Sequence, residues 1–287
     1  MKKILALLFT LLLLVGCQSE GYSHISNGTD VIFKGPNATY TKNDLYKSLK
    51  VASFDSIEKD ILKKIAEKIE LNLTDVETEA DEVIEMYKSM GYEQTITSYY
   101  GSVEAFKETY LYSGLLTKLS EKYIEDKYDE FVLEDKPVKM QIVSFYEEEI
   151  ANKFIEDFNS GKTFETAAVD NGYAYDCPVQ VYLDSDELLP LNVKSYLNET
   201  VSTGLSQVIV VTDTNTDADG NINSTDTYYV LNIISRDPAE FKDEYITKRI
   251  DSTGIDVVKE YYFNNHDIAF YDQDIYEIMK EQYEVIK

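Results

Sequence analysis

The chain has 287 residues, enough for two domains, and 44% of them are apolar, which permits packed cores and excludes wholesale disorder. A formal net charge of −26 argues against nucleic acid as a partner, and such a surface is repelled by anionic lipid unless something anchors it. Tyr occurs 24 times and Trp not at all; a ring with a polar tip suits clefts and interfaces, and low-GC codon usage would give the same bias.

Lys2 and Lys3 precede an apolar run from Ile4 to Val15, and Leu14-Val15-Gly16-Cys17 closes it. The run is too short to span a bilayer well. It reads as a secretory signal peptide, residues 1–16. Its end resembles the lipobox of bacterial lipoproteins, which implies that the Cys17 thiol carries a diacylglycerol. Residues 17–30 are polar and read as a tether between lipid and fold. Cys177 is then unpaired, and a small buried residue is its simplest role.

Val31-Ile32-Phe33 predicts a strand. Thr41 and Asp44 have helix-cap spacing ahead of Leu45 and Leu49. Ile57, Ile61, Ile65 and Ile69 form a helical stripe. Thr74 and Glu77 have capping-box spacing before a second stripe of Val76, Ala80, Val83, Ile84 and Tyr87, stopped by Gly91. A long helix is predicted from Ser102 to about Tyr128 by the apolar residues Phe106, Tyr110, Leu115, Leu116 and Leu119.

Val138, Met140 and Ile142 alternate as in a half-buried strand. Ser144 and Glu147 have capping-box spacing before a helix whose apolar face is Ile150, Phe154 and Phe158. Gly161 ends it, and Thr163 caps a second helix carrying Phe164, Ala167 and Ala168. Val208 to Val211 and Tyr228 to Ile234 read as strands. After Asp237-Pro238, helices follow over Phe241 to Ile250 and over Val257 to Tyr262. Ile268-Ala269-Phe270 reads as a short strand, and Ile275 to Tyr283 as a last helix.

The order of the middle parts resembles the parvulins, the small prolyl-isomerase fold. Gln141-Ile142-Val143 stands where that family has His-Ile-Leu or His-Ile-Val. Gly161 to Ala168 matches its Gly-x-x-Phe-x-x-x-Ala turn, and Tyr228-Tyr229-Val230 stands at its closing aromatic-His-Ile strand. The resemblance implies catalytic positions at Gln141, Tyr229, Asp170 and Cys177, the last two lying with Asp176 in the loop that carries the family's Asp or Cys. The histidines of that site are absent, since His24 and His266 lie outside the module, and Pro178-Val179-Gln180-Val181-Tyr182 replaces a Gly-Gly-Asp-Leu-Gly segment. Gln141 offers an amide and Tyr229 a hydroxyl in their place.

With the Cys17 lipobox, the Thr41-Lys42-Asn43-Asp44-Leu45 start and the Asp267-Ile268-Ala269-Phe270 finish, the layout resembles the PrsA-like foldase lipoproteins and, more distantly, the SurA chaperones. The resemblance implies an α+β chain: a helical chaperone domain made from residues 31–136 and 237–287, with a parvulin-like α+β domain, residues 137–236, inserted between them. It implies folding assistance to unfolded or partly folded secreted proteins at the outer face of the cell membrane. An active peptidyl-prolyl isomerase and a surface ligand-binding or adhesion lipoprotein stay open as alternatives, as does a homodimer.

One further motif is independent of that resemblance. Asn215, Asp217, Asp219, Asn221, Asn223 and Asp226 stand at liganding positions of an EF-hand-like loop, with Gly220 at the turn. They form a candidate calcium site; a polar hairpin explains the same residues.

Overall fold

The computed structural model describes residues 25–216, 222–266 and 268–284. The signal peptide, the lipidation candidate Cys17 and most of the tether lie outside the described residues. Among the described residues, no helix is long and apolar enough to cross a membrane.

The chain is α+β and divides into two compact units. One is Glu121–Ser252; the other joins the described residues up to Ser120 with those from Thr253 onward. Segments from both ends of the chain therefore build one unit, and the middle builds the other.

The first unit opens with a hairpin, β1 (Val31–Lys34) on β2 (Thr39–Thr41). Helices α1 (Lys42–Ala52), α2 (Phe54–Lys68), α3 (Thr74–Ser89) and α4 (Glu93–Tyr100) follow, and α5 (Val103–Asp126) leads out of the unit. The far end of the chain adds α11 (Ile255–Asn265) and α12 (Gln273–Tyr283). Thr41 and Asp44 form the expected capping box, each side chain holding the other's backbone amide. Thr74 and Glu77 do not: Thr74 is already helical, and its amide is held by the Asn72 side chain at 3.0 Å. Gly114 lets α5 approach α3, because a Cβ there would lie 2.2 Å from Val76 Cγ1.

Two ionic clusters tie the chain's beginning to its end inside this unit. The carboxylate of Glu58 on α2 is buried; Lys259 Nζ reaches it at 2.6 Å, Tyr112 donates its hydroxyl at 3.2 Å, and Tyr283 donates a short bond. Lys50 on α1 lies 2.9 Å from Asp272 and also meets Asp274. Burial works against the Lys50 charge, but hydrogen bonds to Asp274 and Asp272 outweigh it and raise its pKa. The Lys50 hydrogen bond is the main reason that the Asp274 carboxyl is held below its ordinary value.

In the second unit the end of α5 is followed by α6 (Tyr128–Asp135), β3 (Val138–Phe145), α7 (Glu148–Asn159), α8 (Phe164–Asp170), β4 (Gln180–Tyr182), α9 (Leu191–Glu199), β5 (Gly204–Leu205), β6 (Ile209–Thr216) and β7 (Ile222–Ser235). A 3-10 turn over Pro238–Phe241 leads into α10 (Lys242–Ser252). The long helix expected from Ser102 to about Tyr128 is present as Val103–Asp126, and Lys127, whose ammonium lies 5.9 Å from the rings of both Tyr123 and Phe131, stands between it and α6. Asp135, almost fully buried, accepts from Tyr245 at 2.7 Å and from Arg249 at 3.0 Å, so α6 and α10 pack with the sheet's unit. The unit therefore runs wider than residues 137–236.

The sheet is antiparallel, with order β4-β3-β7-β5, and β6 also pairs with β7. Alternation splits its residues between two cores. Val143, Phe145 and Val230 face α7 and α8, meeting Ala151, Phe154, Phe164, Ala167, Ala168 and Cys177. Val138, Met140, Leu231 and Ile233 face α9, meeting Leu189 and Val193. Each fully buried large side chain contributes on the order of 1.5–3 kcal/mol. Thr163 caps α8 as expected, accepting from the Thr166 amide at 3.1 Å. Ser144 is not a cap: β3 continues to Phe145, whose ring is buried against Phe154, and the helix starts beyond Glu147. Residues 268–270 have no regular secondary structure, and β1 pairs with β2.

Replacing Glu58 with Ala strands three donors in the helical unit, and urea denaturation is expected to show a loss of about 3–5 kcal/mol. The Lys50 cluster gives a pH signature. The Asp274 share of stability is present above its unfolded pKa near 3.8 and fades as pH falls below it; the Lys50 share is present below 10.5 and fades as pH rises beyond it. Lys50→Met is expected to flatten both limbs of the stability-against-pH curve.

Candidate functional site

β3 and β7 are neighbours, and their register decides which polar side chains meet. Gln141 lies opposite Asn232, and Ser144 opposite Tyr229. Gln141 and Asn232 share the face that carries Val143 and Val230, whereas Tyr229 lies three residues from Asn232 and so projects from the other face. Gln141 and Tyr229 are therefore not brought together.

Gln141 is 4% exposed and every hydrogen-bonding group of its amide is used. Its Nε2 donates to Glu165 Oε1 at 2.5 Å and to the Cys177 carbonyl at 3.0 Å. Its Oε1 accepts from Asn232 Nδ2 at 3.0 Å. A glutamine amide has two N–H donors and a carbonyl with two lone pairs, so both donors are spent here and only a second lone pair of the buried Oε1 remains. The network ties β3, β7, α8 and the loop before β4 into one polar junction inside an apolar layer.

Cys177 meets Gln141 through its backbone, not its thiol. The side chain is buried in the core between sheet, α7 and α8. Burial first, then Glu165 and Asp176, push the thiol pKa up, which disfavours the thiolate needed for reaction. Asp170 lies apart from both, exposed at the end of α8 and paired with Lys162 at 2.8 Å; Lys162 also holds Asp157 at 3.1 Å. Tyr229 packs against the α9 side of the sheet, where burial, Asp213 and Tyr146 raise its pKa and keep the phenol protonated.

Sequence reasoning missed Asn232 and Glu165. Asn232 had a signal: it is the lone polar residue in Val230-Leu231-Asn232-Ile233-Ile234. Such an interruption in a buried strand needs a partner. Glu165 had none, because only the tertiary fold turns an exposed first-turn carboxylate of α8 toward the sheet.

No family model matches this chain, and no curated protein does. The chain is similar to solved PrsA structures. One is a peptidylprolyl isomerase (PrsA) from Bacillus cereus, at 15% identity and a TM-score of 0.40 over 89% of this chain and 99% of that one. Another is the foldase protein PrsA from Streptococcus pneumoniae, at 19% identity and a TM-score of 0.38 over 88% and 99%. A third is PrsA from Bacillus subtilis, at 15% identity and a TM-score of 0.34 over 90% and 100%.

Of the candidate calcium ligands, Asp217, Asp219 and Asn221 lie outside the described residues. The other three stand on the exposed β6–β7 hairpin, in an arrangement that an EF-hand loop does not have. Asn215 pairs with Asn223, while Asp226 pairs with Thr212 and takes its hydroxyl at 2.6 Å. Three strand residues, about 10 Å, therefore separate the register positions of the first and last ligands. An EF-hand loop closes its two ends on one ion; the pairing here is that of a polar hairpin. Among the described residues, no group of three or more His, Cys, Asp or Glu side chains is placed to hold a metal ion.

Gln141→Ala removes three hydrogen bonds at once and is expected to cost about 1–3 kcal/mol in urea denaturation, through the carboxylate and amide left without it. In the native protein the Cys177 thiol is expected to resist a water-soluble disulfide reagent, with labelling appearing only across the unfolding transition. Fast native labelling at neutral pH would contradict the buried placement.

Proposed function

We propose that this chain assists the folding of secreted proteins outside the cytoplasmic membrane, held there by a lipid on Cys17, and that it works by holding apolar segments rather than by isomerising prolyl bonds. The observation that carries the reading is a surface of rings and thioethers on the helical unit. Tyr87 stacks edge-on against Tyr92 and Phe106, and Tyr100 against Phe106 at 4.9 Å. Beside these rings in the sequence, Met90 is 58% and Tyr99 is 82% exposed, and Met86 and Tyr92 are also exposed. Met and aromatic side chains repack against varied apolar partners. A net charge of −26 would keep such a complex soluble.

The occupied donors of Gln141 support the non-catalytic half of the proposal. Uncatalysed X-Pro isomerisation takes tens to hundreds of seconds, and speeding it requires groups free to stabilise the twisted amide. Here both N–H groups of Gln141 are held by Glu165 and the Cys177 carbonyl, and its buried carbonyl is met by Asn232. A diacylglycerol on Cys17 supplies two chains, enough for stable anchoring, and a tether raises the local concentration of the holder where chains emerge.

Light scattering of reduced insulin with the mature protein tests the proposal. Suppression of aggregation is expected, and Met90→Glu with Tyr99→Glu is expected to weaken it severalfold without lowering the melting temperature, because exposed side chains contribute little to folding. Prolyl isomerisation of a model tetrapeptide is expected at the uncatalysed rate with wild type and Gln141→Ala alike. Acceleration that Gln141→Ala abolishes would replace this reading with an isomerase.

A further inference from the structure

The sheet unit carries a second concave site, away from the Gln141 junction. A cleft of about 350 Å³ opens where β3 begins and β7 ends, against the last turns of α9. That is within the size range of small-ligand pockets, roughly 300–1,000 Å³. Val138, Leu183, Leu189 and Leu197 give it an apolar lining.

Its charge is opposite to that of the chain. Lys136, Lys194 and Arg236 line it against a single carboxylate, Asp184. That carboxylate is already engaged by Asn198 Nδ2 at 3.2 Å, and Asn198 Oδ1 takes Lys136 Nζ at 3.2 Å. Asn198 thus bridges Asp184 and Lys136. Among the described residues, none of the three cations has a carboxylate partner. In a chain with 53 acidic and 27 basic side chains, three unneutralised cations on one concave surface are not a sampling of the average surface.

Arg236 is the cation tied into the fold. Its Nη1 donates to the Leu197 carbonyl at 3.0 Å, in the last turn of α9, and its Nε to Ser202 O at 3.5 Å. Its Nη2 is shielded from solvent and has no partner. Burial lowers the guanidinium pKa, with only Tyr196 acting the other way. A guanidinium stays charged in proteins, and its fork matches a carboxylate. The arm left unpaired is costly to the fold, while the partly exposed guanidinium brings its charge to the cleft wall.

We propose that this cleft binds a carboxylate carried on a short apolar peptide, with Lys136, Lys194 and Arg236 meeting the anion and Val138, Leu183, Leu189 and Leu197 meeting the side chains beside it. A chain end and an acidic side chain flanked by apolar residues offer the same chemistry. The site is independent of the holding surface on the helical unit, so either could exist without the other.

Titration calorimetry on the mature protein at low salt tests this with three probes: N-acetyl-Val-Leu-Phe with a free carboxylate, the same tripeptide as its C-terminal amide, and N-acetyl-Val-Glu-Leu-amide. The free acid is expected to bind, and the amide roughly tenfold or more weaker. Binding of the glutamate peptide as tight as that of the acid assigns the cleft to acidic side chains; weaker binding assigns it to chain ends. Arg236→Gln is expected to abolish binding, but Arg236 also holds α9. Lys194→Gln and Val201→Glu therefore serve as the deciding variants, since Val201 lies on the rim and is 90% exposed. Both are expected to weaken the acid roughly tenfold with an unchanged melting temperature. Equal binding of acid and amide, absence of binding by any probe, or variants that bind the acid as wild type does would each overturn the proposal.

Discussion

The pairing of β3 with β7 is the constraint on which the sheet unit depends. A strand's side chains alternate, so a slip of one residue would send every buried group of β3 to the wrong face. In the observed register Val143 and Phe145 reach the core under α7 and α8, while Val138 and Met140 reach the core under α9. The same register sets Gln141 against Asn232 and keeps Tyr229 on the far side. Two polar side chains inside an apolar layer are tolerable only because each completes the other, with Glu165 and the Cys177 carbonyl closing the remaining bonds. The junction then disfavours other registers, since any slip would leave a buried amide unpaired.

The helical unit solves a different problem. Its parts come from the two ends of the chain and must find each other across more than two hundred residues. Apolar packing supplies most of the driving force but little direction. The buried Glu58 carboxylate with Lys259, Tyr112 and Tyr283, and Lys50 with Asp272 and Asp274, supply direction. Buried ion pairs are weak evidence for net stability, because desolvation offsets much of the attraction. Removing one partner is costly, and these clusters therefore favour one arrangement of the ends over others.

The two polar assemblies of the sheet unit differ in what they leave free. The Gln141 junction has spent both amide donors of Gln141 internally and serves the fold. The cleft at the other end of β3 and β7 keeps three cations that, among the described residues, pair with no carboxylate. Surplus capacity of that kind, not the presence of polar residues as such, separates a surface able to act on something else from one that acts on its own structure. The exposed Tyr and Met side chains of the helical unit are surplus in the same sense, being apolar area that the fold does not use.

Local signals were legible from the chain alone wherever one residue and its near neighbours carry them. The Thr41–Asp44 box, the Thr163 cap, the stop at Gly161 and the apolar stripes of α2, α3 and α7 follow from spacing, while the α+β class came from the family resemblance. Spacing misled where a local option competed with a distant partner: Ser144 stayed in β3 because Phe145 is buried against Phe154. Which residue faces Gln141 was beyond reach, since that depends on how two strands ninety residues apart align. The clustering of Lys136, Lys194 and Arg236, distant in sequence and unremarkable singly, was decided by the tertiary structure alone, because charge becomes concentrated only when the chain folds it onto one surface.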